Sequence, residues 1–375
     1  MDFNLTDTQK EICAGVKDFF ANQPHIDPET FNHNQFVQIG ELGLFGINSP
    51  EKYGGMGQAY CDAASAFEAL GYACNNNGLI FTITNQVWVN INVLQKFASE
   101  KIQAKYLPAM IAGEMIGCIA ITEGEAGSDS MNMSTFATES ADGKSFTLNG
   151  SKEFISNGPI ADSFIVFAKT EPKLMKGVTA FLVLKTDEGV QVGDDIEKMG
   201  LNGCPTSSVS FNDCKVGKDR IIGRKNFGTI VLTTAMDLER CFEFAPNIGT
   251  MQRLAEQALD YAKQRNQFGK PIGDNQLIAS KISRMYSAIE FSRLMLYKIA
   301  WQHDKGKDTF VNSSMFKLYV SEHYIQTCRD VMQIFGGYGF VKEYGIEREL
   351  RDAMASSIYS GTNEMQLNTI YKMIE

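Results

Sequence analysis

Apolar residues recur at i, i+3, i+4 spacing near the start of the chain. They give way to short runs in the middle and return to helical spacing through to the end. Residues 1–116 read as an N-terminal α-helical domain. Leu5-Thr6-Asp7-Thr8 offers an N-cap before a periodic run through Phe19 and Phe20. A Gly/Pro-rich break from Asn48 to Gly57 precedes a further helical stretch, Ala59 to Tyr72. Residues 117–225 change character. Runs rich in Val, Ile, Phe and Thr (Ser145–Leu148, Ser163–Ala168, Val178–Leu184, Ser207–Phe211) alternate with turn signals such as Asp142-Gly143 and Asn157-Gly158. This spacing predicts a small antiparallel β-domain or barrel. Residues 226–375 return to helix, with Ala255–Gln264, Leu277–His303 and Asn312–Ile334 periodic, and with Pro246 placed to kink or break the first long helix. The α–β–α order makes the chain an α+β multidomain protein with a C-terminal four-helix bundle. No internal repeat or low-complexity segment interrupts it.

Composition narrows the function more than the fold. The 375 residues suggest two or three domains, and 44% apolar with 21% charged residues is ordinary for a globular chain. A formal net charge of −9 argues against general nucleic-acid binding and against anionic membranes. No run of 18 apolar residues suggests a membrane span. The opening MDFNLTDTQKEI lacks the basic-then-apolar pattern of a signal peptide, so a cytoplasmic location is expected. The eight cysteines form no C-x-x-C pair and only four histidines are present, so no metal site is expected and the thiols read as reduced.

Five blocks carry candidate chemistry. Thr122-Glu123-Gly124-Glu125-Ala126-Gly127-Ser128-Asp129 is small enough for backbone to approach a flat ring or a phosphate, though such clusters are usually turns. Leu148 to Gly158 sets Phe154 and Ser156 two apart, which on a strand places an aromatic wall and a hydroxyl on one face. An ordinary strand with an Asn-Gly turn is the plainer reading of that block. The others are Arg265-Asn266-Gln267-Phe268-Gly269-Lys270-Pro271-Ile272 with Gln276, then Gln333 to Phe340, then Arg351-Asp352-Ala353 with Ile358 to Gln366.

In this order and spacing the blocks resemble the acyl-CoA dehydrogenase superfamily, from Phe3-Asn4-Leu5 through Tyr53-Gly54-Gly55-Met56-Gly57 to nearly the last residue. The resemblance implies an N-terminal α-helical domain, a middle antiparallel β-barrel domain and a C-terminal helical bundle, assembled as a homotetramer with one FAD per subunit. It implies that Ile121 and Thr122 hold the pyrimidine side of the flavin, and that Gly127 and Ser128 approach the cofactor or the thioester. Phe154 and Ser156 stand where the family has Trp and Thr, beside the ring and N5. Arg265 and Phe268, with Gln276 in the same block, would serve the pyrophosphate and adenine end of a neighbouring subunit's FAD. Gln333, Gly336 and Gly337 would line that site from a partner, and Thr362 and Glu364 would lie near the pyrophosphate and ribitol.

The chemistry so implied removes hydrogen from the α and β carbons of a thioester-bound acyl group, and it needs a desolvated carboxylate as base. Most family members keep a Glu just before Gly-Thr. This chain reads Tyr359-Ser360-Gly361-Thr362, and serine is no base without an activating partner. Either the enzyme is inactive or repurposed, as a non-catalytic flavin-binding subunit would be, or the base comes from elsewhere. Met236-Asp237-Leu238-Glu239-Arg240 matches the helix position where some branches carry their Glu. Glu239 is therefore the expected base, with Arg240 orienting the site. A solvated helix face is the plainer reading of Glu239, and Glu243, sharing that face, is the fallback.

More narrowly, the chain resembles prolyl-carrier-protein dehydrogenases and oxidases of pyrrole- and pyrroline-forming pathways. The matching stretches are Met1-Asp2-Phe3-Asn4-Leu5, Asn132-Met133, Pro159 to Ile165, Arg293 to Tyr297 and Ser360-Gly361-Thr362-Asn363. Gly200-Leu201-Asn202-Gly203-Cys204-Pro205 also lacks the arginine the wider family often has there. A prolyl thioester on a peptidyl or acyl carrier protein is the implied substrate, with a CoA thioester as the alternative. Electrons would pass to an electron-transfer flavoprotein or to oxygen. A basic patch of Lys215, Lys218, Arg220 and Arg224 is the candidate docking face for an acidic carrier, unless it is simply a solvated loop.

Overall fold

The computed structural model describes residues 4–24, 26–171 and 177–374. Met1, Asp2 and Phe3 of the opening motif lie outside them. The N-terminal helices are α1 (Asp7–Ala21), α2 (His33–Glu41), α3 (Tyr60–Ala73), α4 (Asn77–Thr84), α5 (Asn92–Phe97) and α6 (Glu100–Ile111). Thr6 caps α1 in a reciprocal capping box with Gln9. Between α4 and α5 the helix widens into a π-helical segment, Asn85–Ile91.

The middle region carries β1 (Gly117–Ala120), β2 (Phe136–Glu139), β3 (Ser145–Ser156), β4 (Ser163–Lys169), β5 (Val178–Leu184), β6 (Val190–Val192), β7 (Thr206–Gly217) and β8 (Ile221–Ile222). They form one sheet in the order β6-β7-β3-β2-β4-β5-β8, with β1 against β4. Most pairings are antiparallel, as the turn spacing predicts, but β1–β4 and the single β2–β4 contact are parallel. The β1–β4 pairing joins strands far apart in sequence, which no local turn signal announces. Alternating Phe146 and Leu148 of β3 point into a core shared with Phe164, Phe181 and Phe211.

The C-terminal helices are α7 (Gly228–Leu238), α8 (Ala245–Gln264), α9 (Gln276–Asp304), α10 (Phe310–Phe335), α11 (Gly337–Phe340), α12 (Ile346–Met354) and α13 (Asn363–Ile374). Pro246 does break the first long helix: it sits in the first turn of α8, where its missing N–H has no helical partner to lose. The residues just before it, Glu239–Glu243, form a second π-helical segment. Helices from both ends of the chain share one core containing Phe67, Trp88, Phe242, Phe244 and Val320. Helices α3 and α8 approach closely enough that a Cβ at Gly71 would lie 1.8 Å from the Pro246 carbonyl oxygen, and one at Gly249 would lie 1.9 Å from that of Glu68. No helix among the described residues is long and apolar enough to cross a membrane.

Candidate active site

The two π-helical segments pack against each other, and such segments recur at functional sites because the widened turn redirects side chains. One presents Glu239 and Glu243; the other presents Asn85. The Ser360 hydroxyl stands between the acids, 2.7 Å from Glu239 Oε1 and 2.8 Å from Glu243 Oε2. Asn85 Nδ2 donates to Glu243 Oε1 at 2.6 Å, and the Thr84 hydroxyl lies 3.5 Å from the same oxygen. Glu243 is 3% exposed, whereas Glu239 is only half-buried. Burial pushes both carboxyl pKa values up. For Glu243 the nearby Glu239 charge and the contact between the two carboxyls raise it further, while for Glu239 the hydrogen bonds with Ser360 and with Glu243, then the charges of Arg240 and Lys317, pull back down.

Glu239 is therefore not on a solvated face. It is a reachable carboxyl in a desolvated setting, and Glu243 is a sealed one. Ser360 holds its position in a left-handed backbone (φ 58°), costly for a non-glycine residue and stabilised here by its surroundings. Arg240 braces that loop. Its Nε donates to the Ser360 carbonyl at 3.4 Å, Nη1 donates to the Ser314 hydroxyl at 3.4 Å, and the guanidinium lies 5.1 Å from the Phe310 ring centre. Gln366 Nε2 donates to the Gly361 carbonyl at 2.8 Å. Lys317 is fully buried and donates to Asn363 at 2.7 Å; burial, then the Arg240 charge, lowers its pKa to about 8.

The middle-domain residues form a second group. Strand β3 bulges between Lys152 and Ile155, and Phe154 at that bulge has φ 58° and is 67% exposed. The simple alternation expected of Phe154 and Ser156 is thus corrected: the bulge, and not the strand period, aims the aromatic. The Ser156 hydroxyl makes no hydrogen bond among the described residues. Beneath them, Lys152 donates to Glu123 at 2.8 Å and to the Ile121 carbonyl at 3.1 Å, while the Thr122 carbonyl accepts from the Glu153 N–H. The Gly127–Ser128 turn is exposed. At the end of β3, Asn157 Oδ1 accepts from the Thr82 hydroxyl at 2.8 Å, tying the strand to α4, the helix that also carries Thr84.

A third group lies apart on the outside of the bundle. Arg265, Gly336 and Gly337 line a surface hollow of about 680 Å³. Phe268 has φ 52° and is wholly exposed, and Gln276 and Gln333 are exposed; Thr362 and Glu364 instead continue the Ser360 loop, Thr362 half-buried and Glu364 exposed on the side of Lys317. A Cβ at Gly127, Gly269, Gly336 or Gly337 would meet nothing of this chain within 4 Å. Bare aromatics, an unpartnered hydroxyl and open glycine surfaces suit a flat cofactor bearing phosphates.

Of the basic patch, Lys218 pairs with Glu139, which it shares with Lys225, and Arg220 pairs with Asp187, while Lys215 and Arg224 form no ion pair among the described residues. Arg351 and Asp352 serve domain contacts. Arg351 donates to Glu29, Glu347 and the Met199 carbonyl; Asp352 accepts from Asn77 and the Leu201 N–H. Asn202, in place of the family arginine, donates to Glu29. Asn85 and Thr84 were missed by the sequence reading. The available signal was a cluster of polar residues, Thr82, Thr84, Asn85 and Gln86, in an otherwise apolar stretch.

Acyl-CoA dehydrogenase models match the chain in three parts: N-terminal domain over 6–114, middle domain over 118–214 and C-terminal domain over 226–375. The L-prolyl-[peptidyl-carrier protein] dehydrogenase of Pseudomonas fluorescens is 37% identical over all of both chains. The chain belongs to the acyl-CoA dehydrogenase family. The isovaleryl-CoA dehydrogenase of Arabidopsis thaliana is 36% identical over 96% of this chain and 89% of that one. Among solved structures, the prolyl acyl carrier protein oxidase AnaB superposes with a TM-score of 0.97 at 35% identity, covering 99% of this chain and 100% of that one. PigA with FAD and proline superposes at 0.96 with 34% identity, covering 100% and 99%.

Proposed function

We propose that this acyl-CoA dehydrogenase binds FAD and dehydrogenates an aminoacyl thioester, specifically prolyl on a peptidyl carrier protein, to a pyrroline-carboxyl thioester. The observation that carries the reading is the half-buried Glu239 carboxyl, hydrogen-bonded at Ser360 where other family members have their Glu. Full-length identity to a prolyl-carrier-protein dehydrogenase supports the acyl group.

On this reading Ile121, Thr122, Gly127, Ser128, Phe154 and Ser156 hold the flavin ring. Thr362 and Glu364 serve its diphosphate and ribitol side. Arg265, Phe268, Gln276, Gln333, Gly336 and Gly337 serve the far end of a cofactor shared between copies in a homotetramer. FAD, when bound, supplies the acceptor for the hydrogen and electron pair leaving the β carbon. Glu239 takes the α proton, and partial burial keeps the carboxyl basic enough to do so. Arg240 fixes the loop that carries Ser360, and Phe154 walls off water. The acceptor that reoxidises the flavin is an electron-transfer flavoprotein or oxygen.

Anaerobic mixing of the flavin-loaded protein with prolyl-carrier protein, against a panel of acyl-CoAs, tests the reading. Bleaching of the flavin band by the prolyl carrier is expected. Rapid bleaching by an acyl-CoA alone would refute the substrate. Glu239→Gln should slow flavin reduction by about 10²–10⁴-fold, and full retention of rate would refute the base.

A further inference from the structure

Two carboxyl groups within hydrogen-bond distance of one hydroxyl pose a proton-counting problem. Ser360 has a single O–H, and an ionised carboxylate only accepts. With Oγ 2.7 Å from Glu239 and 2.8 Å from Glu243, one contact must be made by a proton that belongs to a carboxyl. The surroundings decide which. Glu243 is 3% exposed and lies near Tyr359, on whose ring Phe81 and Phe244 pack at 4.6 and 5.0 Å, and its other neighbours Thr84, Asn85 and Cys204 are neutral. No cation pairs with it among the described residues. Glu239 is closer to solvent and feels two cations, Arg240 from its own segment and Lys317 from α10; Tyr359 is the remaining titratable group facing it. A single negative charge shared by the two acids is stabilised on Glu239 and destabilised on Glu243.

We propose that Glu243 is a resident neutral carboxylic acid whose O–H donates to Ser360 Oγ, and that the Ser360 O–H donates in turn to Glu239, so that a buried acid aims and ionises the base through one serine. This rests on Glu239 being the base. It gives the serine a positive role: Ser360 donates more strongly to the charged form of Glu239 than to the neutral one and so offsets part of the rise that burial causes. Glu243 is then a positioning residue, and it fixes which way the serine proton points.

The test uses the flavin-loaded protein and two readouts. Infrared difference spectra of resting enzyme at neutral pH, taken between parent and Glu243→Gln, should show loss of a protonated-carboxyl band; Glu239→Gln should not remove that band. In pH profiles of flavin reduction, Ser360→Ala should move the acidic limb upward by about one to two units, the effect of deleting one hydrogen bond to a charged group. Glu243→Gln, which keeps a neutral donor, should move it less than Ser360→Ala does. A carboxyl band that survives Glu243→Gln overturns the proposal, as does an acidic limb that Ser360→Ala leaves in place. The infrared arm needs no substrate, so it answers separately from the choice between prolyl carrier and acyl-CoA.

Discussion

Removing the Glu123 carboxylate should damage this protein more than removing both members of its ion pair. Lys152 is fully buried and Glu123 is 5% exposed, with Nζ and Oε1 2.8 Å apart. Glu123 also accepts from the Ser134 and Thr135 N–H groups and the Ser134 hydroxyl. Burial raises its pKa, but the bonds from Lys152, Ser134 and Thr135 outweigh that and bring it from the ordinary 4.5 to about 2. At 1.36 kcal/mol per unit this amounts to about 3 kcal/mol of stabilisation. The two partners do not balance alike: for Lys152 burial outweighs Glu123 and lowers the pKa to about 8. The Glu123 side governs the loss of Glu123, because Lys152 and the Thr135 N–H would be left buried without an ionic acceptor. Glu123→Gln should therefore cost about 3–5 kcal/mol, and adding Lys152→Met should restore part of it. The pH dependence has a definite sign. A depressed carboxylate pKa stabilises fully above pH 4.5 and loses that stabilisation as pH falls toward 2, so the parent should show this acid-side decline and Glu123→Gln should not. The depressed Lys152 works oppositely: its cost is present below pH 8 and fades toward 10.5. Urea titrations, with hydrogen exchange at the β3 amides as a local probe, measure both. The reasoning fails if Glu123→Gln stays within about 0.5 kcal/mol of the parent, the range of ordinary surface changes, or if the double variant is the less stable.

Two further outcomes follow from the same structure. Phe154→Ala should weaken flavin retention by about 3- to 10-fold, an aromatic contact contributing about 0.5–1.5 kcal/mol beyond its area; flavin release during ultrafiltration measures it, and undiminished retention would remove Phe154 from the ring wall. Gly249→Ala should lower stability by about 1–3 kcal/mol or more through overpacking against the Glu68 carbonyl, so an unchanged Tm would mean that α3 and α8 do not meet as described.

Periodicity made the helices legible because long amphipathic stripes leave little choice: Leu277–His303 became Gln276–Asp304, and Asn312–Ile334 became Phe310–Phe335. Val178–Leu184 was read to the residue. Long-range pairing was not legible, since nothing near Gly117 signals that β1 runs parallel to β4. At the site, Glu239 and Glu243 were readable as residues four apart on one helical face. Their shared contact with Ser360 was not, because it depends on a loop 121 positions beyond Glu239 and 117 beyond Glu243. The bulge at Phe154 was hidden for a similar reason: it is set by mismatch with β7, a strand whose register only the folded sheet defines. Of the basic patch Lys215, Lys218, Arg220 and Arg224, the pairing of Lys218 and Arg220 was not legible because their acids, Glu139 and Asp187, are remote in sequence.

The widened turn at Glu239–Glu243 also makes chain length a variable of the chemistry. An α-helix turns by about 100° per residue. Deleting one residue there would let the helix close into ordinary register and swing everything on one side by that angle relative to the other. Glu239 and Glu243 would keep their identities and lose their common neighbour. In this stretch an insertion or deletion is therefore a more drastic event than most replacements, and alignments of related chains across it are best anchored on the carboxyl pair and not on the helix around it.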